Sequence, residues 1–420
     1  MMRKHPGWVA AIGTIFILAA LGLLTWANYR YAEASTGPND FIGQWFGTRA
    51  LLIDGTSPYS DETAQRIQIL AYGRVAQEGE DQLRVAYPVY AVIFFFPYAL
   101  INDITLARAL WLTTLEAGVL LLTYLSIRLT QWKPKFWMLA GVFLFSILWY
   151  HGVNPVINGN AIVLVAVLVA GALLAIRTGA DELAGVLLAF STIKPQVVAL
   201  LIIYVFYWSL KKRRYRLVAW LVGTEILLVL GGLFLLPDWI LQNLREVIRY
   251  TSYNPLSTMG AVLSTWSPAL GVRVGYAVSF LLALLLMNEW FRSARYEFRG
   301  FLWVACLTLT ASQWIGIPTD PGNYLVLFPA IVFVFALWTD FLRGQAGGVI
   351  GVTMAVLLLL IWLAFTASAL TITSTTTTPG LFLALPAMTF ILLFWVRGWA
   401  MRPQPAWFDQ GYDLDQTFLR

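Results

Sequence analysis

Apolar runs of membrane-spanning length recur along this chain from Trp8 almost to its C-terminal end. A helix needs about 20 predominantly apolar residues to cross the hydrocarbon core of a bilayer, and inside that core only helices or closed barrels satisfy every backbone group. The chain has 420 residues, of which 59% are hydrophobic and 12% charged, against roughly 25% charged in a soluble domain. The prediction is an all-α polytopic membrane protein. No large soluble module interrupts the runs, so 1–420 reads as a single integral membrane domain.

Bounded by charge, glycine and proline, the runs fall near 8–27, 104–127, 136–151, 159–176, 183–193, 196–210, 217–236, 271–288, 301–316, 324–341, 348–371 and 381–396, which predicts twelve spans. Arg128, Lys133 and Lys135, then Arg177, the cluster Lys211 to Arg216, then Arg292, Arg295 and Arg299, Arg343, and finally Arg397 and Arg402 occupy alternate connections. The positive-inside rule places those connections and both termini in the cytoplasm, with the chain in the plasma membrane. The same rule accounts for the formal charge of +6 without nucleic acid. The first run, with Ala32-Glu33-Ala34 after it, mimics a secretory signal, but it is longer than a signal's apolar region and is expected to stay as the first helix.

The alternation holds only if Tyr87 to Leu100, with a proline near each end, does not cross. Its length of about 14 residues suits an interfacial or re-entrant helix. Residues 28–103 then form a long first extracytoplasmic loop, with amphipathic patterns around 40–53 and 61–78 ahead of the re-entrant segment. Residues 403–420 form a cytoplasmic tail. The runs 183–193 and 196–210 read as a broken hairpin with Lys194-Pro195-Gln196 at its tip.

On this topology the unusual polar groups gather on the extracytoplasmic face. Asp40 follows the first helix. Its carboxylate reads as a general base at the membrane boundary and as an N-cap for the helix that begins FIGQWFGTRALL, two compatible roles. Asp54 reads as a turn residue beside Gly55, and Asp61-Glu62 as the acidic first turn of the next helix. Lys194 sits at a helix break. A lysine at the centre of a span costs about 2.5–3.5 kcal/mol and commonly marks a site, the alternative being a side chain that snorkels to the interface. Asp320 and Asn323 lie in IPTDPGNYLVLFP, which is site or plain turn. His151 is a substrate hydrogen-bonder or an interfacial residue. Arg245 and Arg249 either face a phosphate or complete an amphipathic surface helix.

Several function classes drop out. No His, Cys or carboxylate cluster has ligand spacing, so no metal is expected. The single cysteine, Cys306, lies in an apolar run and reads as core filling. Asp413-Leu414-Asp415 matches a metal-binding D-x-D pattern but is short and lies in the tail on the other face. No Walker loop, G-x-S-x-G serine motif or inverted repeat is visible.

The ordered motifs have a likeness. Asp40-Phe41 follows the first helix, and Gly55, Pro58-Tyr59 and Tyr87-Pro88 come next, ahead of a half-helix ending at Pro97. Arg108-Ala109-Leu110-Trp111 opens the next span, Asn158-Gly159-Asn160 precedes an apolar run, and Ala184-Gly185 leads to Lys194-Pro195. In these the chain resembles the C-type integral membrane glycosyltransferases. It is most like glycosyltransferase family 87, which includes mannosyltransferases of the phosphatidylinositol-mannoside type. It departs from them in having Tyr87-Pro88-Val89 for Tyr-Pro-Pro and Asn158-Gly159-Asn160 for Gly-Gln-x-Asn.

The resemblance implies a GT-C-like fold and transfer of a sugar, mannose by default, from a polyprenyl-phosphate donor to a lipid or glycan acceptor outside the cell membrane, with no metal or other cofactor. It puts the base on Asp40 and the donor phosphate on Lys194, with Arg245 and Arg249 in reserve. Substrate contact then falls to Gln44, Tyr59, Tyr87, His151, Asn158, Asn160, Asp320 and Asn323. The competing classes are a lipid or amphiphile flippase and a lipid-linked glycan polymerase or ligase.

Overall fold

The computed structural model describes residues 7–35, 37–253, 258–371 and 379–402. His5, parts of two predicted connections (254–257 and 372–378) and the tail 403–420 with Asp413 and Asp415 lie outside them. The described chain is helical, without strands.

In chain order the helices are α1 (Gly7–Ala34), α2 (Asp40–Leu52), α3 (Asp61–Tyr72), α4 (Val92–Ala99), α5 (Ile104–Thr130), α6 (Phe136–Leu148) and α7 (Tyr150–Ile157). Next come α8 (Ile162–Thr178), α9 (Asp181–Ser191), α10 (Pro195–Lys211), α11 (Tyr215–Leu235), α12 (Trp239–Tyr253) and α13 (Met259–Trp266). The last five are α14 (Gly271–Ser293), α15 (Phe298–Ile315), α16 (Phe328–Phe341), α17 (Ala346–Thr371) and α18 (Pro379–Ala400).

Every predicted apolar segment coincides with helix, yet fewer helices have the length to cross. Among the described residues seven are long and apolar enough: α1, α5, α11, α14, α17, α18, and α16 together with the 3-10 turn before it. An eighth appears if α6 and α7, bent by 45°, act as one span. Helices α8 and α10 have 17 residues each and α9 has 11. Apolar patterning reveals that these segments are buried, but burial in protein and burial in lipid leave the same sequence mark. Helix α15 shows it: Gly300 to Gln313 are all buried, as expected for a helix covered by protein on every side.

The chain gathers into two compact units. The first comprises Met1–Ala117, Val156–Ala161 and Leu235–Tyr253. Its α1 and α5 are joined by polar contacts within their apolar lengths. Asn28 Nδ2 donates to Glu116 Oε2 at 2.7 Å and to Thr113 Oγ1 at 3.0 Å, and Thr25 and Thr113 share a hydroxyl contact of 3.1 Å. Interhelical hydrogen bonds of this kind hold helices together where lipid supplies no hydrophobic drive.

Helix α2 corrects the sequence expectation. Its pattern suggested an amphipathic surface helix, but Phe41, Ile42, Gly43, Gln44, Trp45, Gly47, Thr48, Ala50 and Leu51 are all buried. The reason is a pair of glycines one turn apart. Gly47 lets the irregular segment through Leu83 and Val85 lie directly on the helix, since a Cβ at 47 would come within 2.7 Å of Val85 Cγ2, while Gly43 faces the Leu83 carbonyl. Helix α3 keeps its amphipathic face, burying Thr63, Ala64, Ile67 and Gln68, with Ser60 as N-cap accepting from the Thr63 N–H at 3.1 Å.

The second unit comprises Gly118–Pro155, Ile162–Phe234 and Asn254–Arg420. Here α8 packs on α9, and α10 and α18 both pack on α15. Tyr204 and Trp208 of α10 meet Phe301 of α15 at ring separations of 5.5 and 4.1 Å.

Candidate functional site

Polar side chains collect at one place in each unit. In the first, the helix start does two jobs with two adjacent residues. Asn39, extended at φ −157° and ψ 162°, accepts from the Ile42 N–H at 3.1 Å. It is the N-cap, so the capping role expected of Asp40 is overturned. Asp40 is the first helical residue, with an exposed side chain. There its negative charge meets the positive end of the helix dipole.

The Asp40 N–H donates to the carbonyl of Asn158 at 2.9 Å, and this bond ties two distant motifs. The next residue, Gly159, has φ +66° and sits against Phe41, where a Cβ would come 2.7 Å from the Phe41 Cβ. Only glycine fits both demands. Trp111 Nε1 donates to the Gly159 carbonyl at 2.8 Å, and the Trp111 and Phe41 rings stack at 5.7 Å. Trp111 also meets Phe95 at 4.9 Å and Tyr98 at 5.1 Å. Phe95 in turn carries Tyr87 edge-on at 6.2 Å. An aromatic platform thus underlies Asp40, Asn158 and Asn160; Asn158 is exposed and Asn160 half-buried.

Tyr87 closes the cluster. Burial, and after it the negative charge of Asp40, push its phenol well above the usual range. The Tyr87 carbonyl accepts from Tyr59 Oη at 2.7 Å, so the buried Tyr59 holds backbone with its hydroxyl. Gln44, only 8% exposed, lines a small recess with Thr48, Tyr59, Tyr87 and Pro88.

The reserve cations differ in placement. Arg245 is exposed on α12. Arg249 donates to Asp61 at 3.2 Å and to Glu246 at 3.3 Å. Arg84 bonds the same two carboxylates, and its hydrogen bond and charge, with those of Arg249, hold the Asp61 carboxyl below the usual range. Arg249 therefore belongs to a four-residue ionic cluster with its charge already opposed.

In the second unit, α9 stops at Ser191 and α10 starts with Pro195 at its first turn. The break leaves Lys194 at the tip, 6% exposed. Its Nζ donates to Asn323 Oδ1 at 3.0 Å, and Asn323 Nδ2 donates to Thr319 Oγ1 at 2.8 Å. Asp320 caps the 3-10 turn Pro321–Leu327, with Oδ1 accepting from the Gly322 N–H at 2.5 Å. Its side chain is exposed, yet the protein packed around it pushes its carboxyl above the usual range, while the Gly322 N–H and the Lys194 charge pull the other way. Thr192, beside the break, donates to the Glu225 carboxylate at 3.2 Å.

His151 does not join this group. It is 0% exposed, enclosed by Trp149, Tyr150 and Tyr324 at ring separations of 5.3, 5.1 and 5.6 Å.

Sequence reasoning missed Asn39, Asn243, Thr319 and Arg84. The available signal for Asn243 was the polar stripe Gln242, Asn243, Glu246 and Arg249 at helical spacing on α12. Among the described residues, no three His, Cys, Asp or Glu side chains are placed to hold a metal ion.

The model of glycosyltransferase family 87 matches residues 86–313. No curated protein and no solved structure matches the chain. The matched stretch takes in Tyr87, Trp111, Gly159 and Lys194, while Asp40 precedes it. A match over more than half of the chain, in a protein of membrane-crossing helices, makes this a membrane glycosyltransferase: the chain belongs to glycosyltransferase family 87.

Proposed function

We propose that this glycosyltransferase moves a sugar, mannose first among candidates, from a polyprenyl-phosphate donor to a hydroxyl of a lipid or glycan acceptor on the extracytoplasmic face. The observation that carries the reading is the state of Asp40. Its neighbour Asn39 does the capping, and the Asp40 side chain is exposed at the first turn of α2, where an acceptor hydroxyl can reach it. Asp40 takes the acceptor's hydroxyl proton as the acceptor oxygen bonds to the anomeric carbon, and the polyprenyl phosphate leaves with the electron pair of the broken C–O bond. A cation that meets the negative charge developing on the departing phosphate lowers that barrier, and Lys194 is the proposed candidate for the role. Gln44, Tyr87, Asn158 and Asn160 of the first unit, and separately Asp320 and Asn323 of the second, are assigned to substrate contact.

A donor of this kind is already activated and already in the membrane. No nucleotide site and no metal are needed on this reading. A GT-C-like arrangement with the twelve helical segments counted as crossings, both termini in the cytoplasm and the chemistry outside completes the proposal. It is supported by the basic connections Lys211 to Arg216 and Arg292 to Arg299.

The test is turnover in nanodiscs with polyprenyl-phosphate mannose or glucose and a crude lipid acceptor extract, comparing wild type with Asp40→Asn. Loss of transfer in the variant with donor binding retained supports the base at Asp40. Equal rates move the base elsewhere, and donor movement without consumption supports a flippase.

A further inference from the structure

Pro88 fixes the geometry behind Tyr87. A residue before proline is held extended, and here the Ala86 and Tyr87 carbonyls lie outside any helix. Buried carbonyls without a donor are costly. They find their donors far along the chain: Asn243 Nδ2 donates to Ala86 O at 3.0 Å and to Tyr87 O at 3.0 Å, and Tyr59 adds the second bond to Tyr87 O. Both amide protons of Asn243 are thus used on the peptide groups that aim one side chain.

Asn243 has a rigid base. Its helix, α12, exposes Ile240, Leu241, Leu244 and Ile248 on one face and turns the other onto the first unit's outer segments. One residue before Asn243, the Gln242 side-chain oxygen accepts from the Ser57 hydroxyl. One turn after it, Glu246 and Arg249 close the ionic cluster with Arg84 and Asp61. An amide anchored on both sides transmits its own position faithfully.

We propose that Asn243 is a positioning residue of the transferase: from α12 it locks the carbonyls of Ala86 and Tyr87 and so sets the Tyr87 side chain on the Phe95, Trp111 and Phe41 rings at the start of α2, where Asp40 lies. The role rests on the reading of Asp40 as the base. The Tyr87 ring is fixed from below by Phe95, and Phe95 by Trp111, so an error at the 86–87 peptide tilts the hydroxyl over an otherwise static platform. Misplacing a contact group by about 1 Å costs up to about 100-fold in rate.

The experiment places 3-fluorotyrosine at position 87 of the full chain in nanodiscs and records fluorine spectra with and without Asp40→Asn. In the wild-type background the resonance should move when the Asp40 charge is removed. Asn243→Ala should largely abolish that movement, and Tyr59→Phe, which deletes one hydroxyl from the same carbonyl and spares the fold, should reduce it. In turnover, Asn243→Ala should lower kcat about 10- to 100-fold with the donor KM unchanged, and the loss should vanish in a Tyr87→Phe background. Fluorine movement unaffected by Asn243→Ala, or the same kcat loss in both backgrounds, overturns the role. Full activity in Asp40→Asn with the fluorine coupling intact would instead sink the base assignment and leave the placement by Asn243 standing.

Discussion

Lys194 donates from its ammonium to the side-chain oxygen of Asn323, 3.0 Å away and 129 positions along the chain. The same ammonium acts on the Asp320 carboxyl, pulling it down against the burial that raises it. Lys194→Met should lower thermal stability by about 1–3 kcal/mol, since it leaves the buried Asn323 side-chain oxygen without its donor. Affinity for a polyprenyl-phosphate sugar should fall about 10-fold or more, in line with one lost charge-assisted hydrogen bond. Calorimetric titration decides it; unaltered affinity would take the phosphate away from Lys194.

Gly159 and Gly55 share φ +66° but not surroundings, since a Cβ at 55 meets nothing within 4 Å. Alanine at 55 should cost about 1 kcal/mol of left-handed strain. Alanine at 159 adds a clash with Phe41 and should cost about 2–4 kcal/mol in total. Unfolding midpoints of the two variants measured side by side test this; equal shifts would mean that the Phe41 contact yields easily.

Asp320 separates by chemistry. Asparagine keeps an oxygen for the Gly322 N–H, so Asp320→Asn should melt like wild type, while Asp320→Ala should lose about 1 kcal/mol, the usual worth of a cap. Turnover of the Asn variant then reads the charge alone. A rate drop at unchanged stability would assign Asp320 a direct part in the reaction.

Acid should loosen the 74–80 turn of the first unit first. The Arg74 hydrogen bond, then the Gln77 N–H, hold the Glu80 carboxyl down at about 2, against an ordinary value of 4.5. A depressed carboxylate contributes stability that is complete above the ordinary value and is lost as pH falls toward the folded one. Proteolysis of the turn should therefore rise between pH 4.5 and about 2 in wild type, using an acid-active protease, and Glu80→Gln should be susceptible already at pH 5. A variant as resistant as wild type at pH 5 would show that the clip does not order this turn.

Much of the helical plan was legible because each apolar segment carries its own boundary signals: Pro195 opens α10, the Lys211 to Arg216 cluster closes it, and both ends fall within a residue or two of the structure. The number of crossings is less directly legible, since α8 and α9 are as apolar as crossing helices while falling short of membrane-spanning length. Burial of α2 was hidden in Gly43 and Gly47, which read as weak helix formers until the segment at 83–85 is known to lie on them. Asn39 and Asp40 are equally good caps, so adjacency left their jobs unassigned. Asn243 looked like one polar residue among several on a surface helix, because its partners at 86 and 87 are backbone and leave no side-chain signal.

The seat shared by Phe41, Gly159 and Trp111 ties three stretches of sequence by fit alone. The connections between them are under no such demand and can lengthen or shorten without disturbing it. Descent should therefore have treated the three positions as one heritable unit. Glycine at 159 answers both the φ of +66° and the Phe41 Cβ, and remote kin should be recognised by the joint presence of the three rather than by resemblance along the intervening chain.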